Sequence, residues 1–355
     1  MNTSSESRMR DIQLAQKGRS SLDFAGALAR LDNALNRKID ARLRDQLEDS
    51  DIADDYDQRL KQISEVVAED PMHMTATLAN DWLSRQHGEI CRAAFEEVQA
   101  DYQSSLTALQ DGPTTLETRD QFRTPDYFSK QWFHNTSGGW DGHPFMGMIQ
   151  AEFVHRRYVA AKYGSGLRRL RYDVLDELPI KQYDNILEMG TSAGYFTEQL
   201  SERFPDAKIT GCDLSRRMLE QAQRLGNEQG RHWRLIQAGA EDTGLPDNSF
   251  DLVTSYAMFH EIPSEIAQAV WREAARVAKP GAWIYMVDGV PALDAIDKIA
   301  GWRYLFGWLR GGEPYAREYC TANDGSFAAA AGLVDVTEGT FGDRPFPRFT
   351  KARKP

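Results

Sequence analysis

Cysteine is scarce in this chain. Cys91, Cys212 and Cys320 are the only three in 355 residues; odd in number and far apart, they argue against both a disulfide framework and a zinc site. Long apolar runs are lacking too, since no window approaches the roughly twenty apolar residues of a membrane span. The polar start, Met1–Arg19, holds no apolar stretch of signal-peptide length, and the cytoplasm is the expected compartment. Positive charge is the third shortage. Lys and Arg number 42 against 53 Asp and Glu, a formal net charge of -11, which argues against a nucleic acid as main partner because phosphate recognition needs clustered cations. The one basic run, Arg168, Arg169 and Arg171, reads as a solvated helix face. No cluster of His, Asp and Glu has ligand spacing, so no metal is expected. What remains is ordinary for a soluble globular chain: 41% hydrophobic and 27% charged residues, in one large domain or two unequal ones.

Residues 1–20 read as a flexible tail and 21–125 as a helical N-terminal region. Leu28, Leu31, Leu35, Ile39, Leu43 and Leu47 recur every three or four positions, one apolar stripe on a helix. The acidic stretch Glu48–Asp57 separates it from a second helix through Leu60, Ile63 and Val67. A third helix is expected from about Met74 to Leu109, broken at Ser84–Gly88. No catalytic motif is visible here. The stripe only requires a covering surface, which a substrate cap or a homodimer contact would supply.

Gln110–Thr124 reads as a connector, and residues 126–180 as an aromatic linker with helices. Tyr127, Phe128, Trp132, Phe133 and His134 precede Gly138, Gly139, Trp140 and His143; a helical pattern then runs from Phe145 to Leu178, interrupted at Gly164 and Gly166. From Asp184 the pattern changes to short apolar runs: Asn185–Met189, Lys208–Cys212, Trp233–Gln237, Asp251–Ala257 and Trp283–Asp288. Amphipathic helices lie between them. That alternation implies an α/β fold with a doubly wound, mostly parallel sheet. Val334–Thr340 and Phe349–Lys354 suit a closing antiparallel pair.

The most informative stretch is Ile186–Phe196, where a buried strand runs through small residues into a helix. Gly190 and Gly194 let a ligand approach the backbone beside the helix N-terminus. Asp213 closes the next strand, where a carboxylate can accept both hydroxyls of a ribose. An NAD-dependent oxidoreductase has the same outline, so at this point both readings stand.

Further matches decide between them. The chain resembles the class I (Rossmann-like) S-adenosylmethionine-dependent methyltransferases, particularly the group related to ubiquinone and menaquinone C-methylases. Glu188, Gly190 and Gly194 match that group's acidic residue and Gly-x-Gly-x-Gly motif, with Ser192 in place of the middle glycine. Ala238–Asp251 matches the segment leading into the fourth strand, with Gly239 where the family has an aspartate for the adenine amino group. Arg276–Ala282 matches the turn before the fifth strand. Phe133–His134 with Gly139–Trp140, and Phe259–Pro263, resemble elements of one bacterial and plant subgroup, as does Glu313–Tyr315. The likeness covers about Tyr183 to Val290.

The resemblance implies a seven-stranded core at 181–355, a lid insertion at about 291–320 and S-adenosyl-L-methionine as cofactor. It implies that Gly190 approaches the amino-acid part, Asp213 holds the ribose and Leu214 lies against adenine. Glu241 or Asp242 then replaces the missing aspartate, or backbone and packing alone hold the adenine. The candidate cofactor set is Glu188, Gly190, Thr191, Ser192, Gly194, Asp213, Leu214, Ala240, Glu241 and Met258.

His260 and Glu261 belong at the carboxyl end of the fourth strand, where open parallel sheets bind ligands. A neutral imidazole there can take a proton from a hydroxyl or an acidic carbon; the plainer role is a loop hydrogen bond and a helix cap. His134, Trp140, His143 and Tyr315 are candidates for the acceptor pocket, or anchors of the linker. Trp302, Leu305, Phe306 and Leu309, with Tyr304 and Trp308 on another face, describe a helix that is buried or forms a lid, ahead of one that touches lipid, since the only nearby cations are Arg303 and Arg310. The expected activity is methyl transfer to an O, N or C nucleophile of a small apolar or aromatic molecule. A non-catalytic adenosyl-binding scaffold and an NAD-dependent oxidoreductase are the alternatives.

Overall fold

Apolar runs flanked by amphipathic helices pair as parallel strands because both faces of the sheet are then covered. The computed structural model describes residues 9, 12–119, 121–163, 167–180, 182–341 and 346–355. Its strands are β1 (Thr115–Glu117), β2 (Asn185–Met189), β3 (Lys208–Asp213), β4 (Arg234–Gln237), β5 (Phe250–Tyr256), β6 (Ala278–Asp288), β7 (Val334–Thr340) and β8 (Arg348–Arg353). They form one sheet in the order β1-β4-β3-β2-β5-β6-β8-β7. The first six are parallel, and β8 runs antiparallel to both β6 and β7. Eight strands replace the expected seven. The additional one lies inside the supposed connector, where three residues carry no readable period; its place comes from pairing with β4, Thr115 against Arg234.

Helices Tyr195–Arg203, Arg216–Glu228 and Ser264–Val277 make the crossovers. From β2 the chain builds outward through β3 and β4, then returns to add β5 and β6 on the other side. The connections leaving the carboxyl ends of the paired strands β2 and β5 therefore run in opposite directions, and open sheets bind ligands in the crevice this creates.

The N-terminal region folds as α1 (Gln16–Gln46), α2 (Tyr56–Val66), α3 (Pro71–Glu96) and α4 (Gln99–Ala108). Part of the supposed tail is thus helical, and Met9 and Ile12 are buried; residues 1–8, 10 and 11 lie outside the described residues. The break expected at Ser84–Gly88 does not occur. A Cβ on Gly88 would stand 2.7 Å from Thr136 Oγ1, so that glycine admits a neighbouring loop instead of ending the helix. The stripe on α1 also needs correction: Ile39 and Leu43 are buried, but Leu31 is 48% exposed while Asp32 is 2% exposed. The N-terminal helices share their apolar contacts with the rest of the chain: Leu22 and Phe95 join the cluster of Ile186 and Leu252, while Ile39, Leu43 and Ile63 form a second one with Ile299 and Trp302.

Between the linker and the sheet runs a π-helix, Ile149–Val159, followed by helices Ala160–Tyr163 and Leu167–Asp173. The break expected at Gly164 and Gly166 lies outside the described residues. Helix Lys298–Gly311 buries Trp302 against α2, with its Nε1 donating to Ser64 Oγ at 3.1 Å. Among the described residues no helix is long and apolar enough to cross a membrane.

Candidate functional site

The loops that leave β2 and β5 bound a cavity of about 270 Å³. Gly190 has φ +75°, and a Cβ there would lie 2.7 Å from Met258 Sδ; only a glycine lets the two loops touch. Ser192 adopts φ +50°, a left-handed backbone for which the family motif has glycine. Its N–H donates to Asp213 Oδ2 at 2.8 Å, and Ser215 N–H donates to Oδ1 at 2.8 Å. Burial pushes the Asp213 carboxyl up to about 6 against the opposing pull of these two donors. Burial likewise pushes Glu188 up to about 8; it accepts from Thr197 Oγ1 at 2.5 Å and so braces the following helix. Thr191, Leu214, Ala240 and Met258 line the cavity. Gly194 does not: at φ +86° it admits Ala222, whose Cβ would lie 3.1 Å from one placed there.

The gap left by Gly239 is filled from nearby. A Cβ built on Gly239 would lie 2.6 Å from Glu241 Oε2, so the glutamate folds back into the space where an aspartate at 239 would sit. Tyr127 donates its hydroxyl to Glu241 Oε1 at 2.9 Å. The other oxygen, Oε2, is buried without a partner at the cavity wall.

A second, larger cavity of about 720 Å³ lies between α1, α3, the π-helix and helix Lys298–Gly311. Four side chains line both cavities: His134, Gln150, His155 and His260. His260 Nδ1 donates to Asp288 Oδ1 at 2.8 Å, leaving Nε2 as the edge not turned to that carboxylate. Burial alone would strip its proton, but the fully buried Asp288 carboxylate outweighs it and pushes His260 up to about 9. His155 is driven the other way, down to about 3, by burial with Arg171 and His134; its buried Nδ1 has no partner.

His134 lies between two carboxylates, its Nδ1 2.7 Å from Glu313 Oε1 and its Nε2 3.4 Å from Glu261 Oε1. Burial opposes its charge, yet the pair of carboxylates holds it well above the usual histidine range. These three side chains gather ligand atoms within 4.8 Å of one another. The carboxylates face opposite ring nitrogens, however, which suits a doubly donating imidazolium better than one shared metal centre. Glu261 also accepts from Trp140 Nε1 at 3.1 Å, so it braces two wall residues.

Two expected acceptor residues stand elsewhere. His143 lines neither cavity; its Nδ1 accepts from Phe145 N–H at 3.0 Å and its Nε2 faces Glu96. Tyr315 also lines neither, and donates to the Tyr127 carbonyl at 3.0 Å. Arg171 corrects the reading of the basic run. Arg169 pairs with Asp173 on the surface, but Arg171 lines the smaller cavity with its guanidinium 5.1 Å from the Tyr195 ring and 5.7 Å from that of Tyr256. Among the described residues it makes no ion pair. Its charge pattern alone gave no sign of this; the aromatic partners come from two distant segments.

Residues 186–281 match the profile of a methyltransferase domain family. Two curated relatives extend further. The ubiquinone/menaquinone biosynthesis C-methyltransferase of Desulfotalea psychrophila is 30% identical over 173 residues, 46% of this chain and 68% of that protein. The ubiquinone biosynthesis O-methyltransferase of Chromobacterium violaceum is 28% identical over 182 residues, 50% of this chain and 77% of that protein. Among solved structures, human N-acetylserotonin methyltransferase in complex with S-adenosylmethionine aligns with a TM-score of 0.44 at 16% identity, covering 59% of this chain and 56% of that one.

Proposed function

Because this chain belongs to the class I S-adenosylmethionine-dependent methyltransferases, we propose that it methylates a hydroxyl group of an acceptor held in the larger cavity. The observation that carries this reading is the His260–Asp288 dyad at the wall shared by the two cavities. Membership of the family sets aside the dinucleotide-dependent oxidoreductase.

The residues of the smaller cavity fit the cofactor on three counts. Asp213 stands at the end of β3 with both oxygens fixed by backbone N–H groups, ready to accept from a ribose diol. Glu241 Oε2 is a buried acceptor without a partner, suited to the adenine amino group. Arg171 offers a planar set of donors for the α-carboxylate. When bound, S-adenosyl-L-methionine supplies a methyl group already activated by its sulfonium. The protein's part is therefore alignment, exclusion of water and removal of the acceptor's proton. His260 Nε2 takes that proton, Asp288 holds the ring's orientation, and Glu261 with His134 braces the wall. His260 yields its own proton more readily when a cation fills the adjoining cavity.

The two relatives are named for methyl transfer to carbon and to oxygen respectively, so they leave the atom open; a base within the wall serves a hydroxyl or an acidic carbon, each of which loses a proton as it is methylated, and the hydroxyl is the reading put to test. The His260–Asp288 pair, which an adenosyl-binding scaffold would not need, weakens the case for a non-catalytic role. Methyl-labelled cofactor offered with matched phenolic, anilino and β-diketone acceptors tests the proposal. Label on the phenolic oxygen supports it, whereas label on nitrogen or carbon, or no transfer despite cofactor binding, overturns it. A second experiment isolates Arg171: Arg171→Met is expected to weaken S-adenosylhomocysteine binding about tenfold. Binding of decarboxylated S-adenosylmethionine should not change, because that molecule lacks the carboxylate.

A further inference from the structure

Helices α1 and α3 are inside out along the stretch that walls the larger cavity. On α1, Phe24 and Leu31 face solvent while Asp32, Asn33, Asn36 and Asp40 face the cavity. On α3, Met74, Leu78 and Trp82 are exposed while Thr77 and Asn80 face inward. Phe24 and Trp82 meet edge to face at 5.6 Å on the outside. A helix on a solvated core normally does the reverse, and both halves of the inversion oppose folding: polar groups lose water and apolar groups keep it. Such an arrangement persists when the inward polar groups have something to bind.

Apart from Arg37, which also lines the cavity but is exposed, these groups are uncharged or neutralised. Asp40 is already neutralised by Arg303, whose Nε donates to it at 2.9 Å. Asp32 accepts from Asn36 Nδ2 at 2.8 Å, and burial raises its pKa toward the neutral acid, with Lys162, Asn36 and Arg303 opposing. Asn33 donates to the Lys162 carbonyl at 2.7 Å, which leaves its side-chain oxygen as an acceptor. Thr77 and Asn80 add a hydroxyl and an amide. Across from them, Tyr304 and Trp308 present rings from the helix Lys298–Gly311. The volume of about 720 Å³ lies within the roughly 300–1,000 Å³ typical of sites for drug-sized ligands and exceeds what a single ring needs.

We infer that the larger cavity selects a neutral, oxygen-rich acceptor of more than one ring, whose reacting hydroxyl reaches the His260 wall while its remaining hydroxyl, carbonyl or amide groups bind α1 and α3. This rests on the methyltransferase reading above and narrows its acceptor from a small apolar molecule to a polar, extended one. The inversion, not the cavity alone, is what points there.

The test uses the full chain loaded with S-adenosylhomocysteine and four catechols that share the reacting ring, extended by a glucosyl group, an n-hexyl chain, a phosphate ester or an aminoethyl group. Calorimetry is expected to find the glucosyl compound bound at least tenfold more tightly than each of the other three. Thr77→Val with Asn80→Leu should shift the glucosyl-to-hexyl preference at least tenfold toward hexyl, whereas Leu78→Gln, on the outer face of the same helix, should leave it unchanged. Tighter binding of the hexyl, phosphate or aminoethyl compound to the wild type, binding of none of the four, or an unaltered preference in the double variant overturns the inference. Failure of S-adenosylhomocysteine itself to bind would instead overturn the functional reading beneath it.

Discussion

Replacing His260 by alanine is expected to lower kcat about 10²–10⁴-fold, while the dissociation constant for S-adenosylhomocysteine changes less than about threefold. The imidazole stands at the wall between the two cavities, so under the proposed roles its loss removes proton transfer and leaves Asp213, Glu241 and Arg171 in place. Single-turnover rates with a phenolic acceptor, alongside calorimetry, separate the two effects. A loss of cofactor binding equal to the loss of rate would make His260 a structural residue instead.

The pH profile gives a second readout of the same residue. Only neutral His260 accepts a proton, and its pKa is pushed up to about 9 by Asp288 against the effect of burial. The kcat/KM of the free enzyme should therefore rise with pH through about 9. The corresponding limb in kcat should lie lower, because a bound cation disfavours the imidazolium. Asp288→Asn removes the carboxylate and should move the kcat/KM limb toward the ordinary histidine value of 6.5. Stability has the opposite slope. A histidine whose pKa is raised on folding contributes stability that is complete below its unfolded pKa and lost as pH climbs through about 9. The alkaline range that speeds turnover is thus the one that loosens the fold. Thermal unfolding between pH 6 and pH 10, compared with Asp288→Asn, measures this directly.

Asp213→Ala should weaken S-adenosylhomocysteine binding about 10²–10⁴-fold, since hydrogen bonds to a charged acceptor contribute about 1.5–3 kcal/mol each and a ribose diol makes two. The wild type carries its own version of this experiment. Burial pushes the carboxyl up to about 6 against the pull of the Ser215 and Ser192 N–H groups. Ionised Asp213 is the better acceptor, so cofactor affinity should fall as pH drops through about 6 and should lose that dependence in Asp213→Ala. Far-ultraviolet circular dichroism at each pH guards against unfolding. An affinity independent of pH between 5 and 8 in the wild type would mean that the ribose is held elsewhere.

The two halves of the chain differed in how much could be read from them. Strands β2 to β6 and their crossover helices were legible because a buried parallel strand needs a short apolar run and each helix needs one apolar face. Strand β1 was not, since a three-residue edge strand has no period of its own and exists through its pairing with β4. Helix α1 misled for a related reason. Its leucines recur at helical spacing, but spacing cannot say which face meets an interior, and this interior is partly polar. His143 and Tyr315 lay beside the right motifs yet point away from the cavities, whereas Arg171 looked like part of a surface run and points into one.

The sequence by itself determined the loop after β2 and the carboxylate of Asp213, because a left-handed turn and a strand-end acid are local features of the chain; the cofactor followed only with the matches at Ala238–Asp251 and Arg276–Ala282. The tertiary structure alone decided that His260 meets Asp288, 28 positions away, through the register of β5 on β6. It alone brought Tyr127 onto Glu241 beside Gly239 and set a chamber of mixed polar and apolar lining between α1, α3 and the helix Lys298–Gly311. Those outcomes depend on contacts between segments far apart in the chain, and a pattern read along one segment carries no information about which surface will face it.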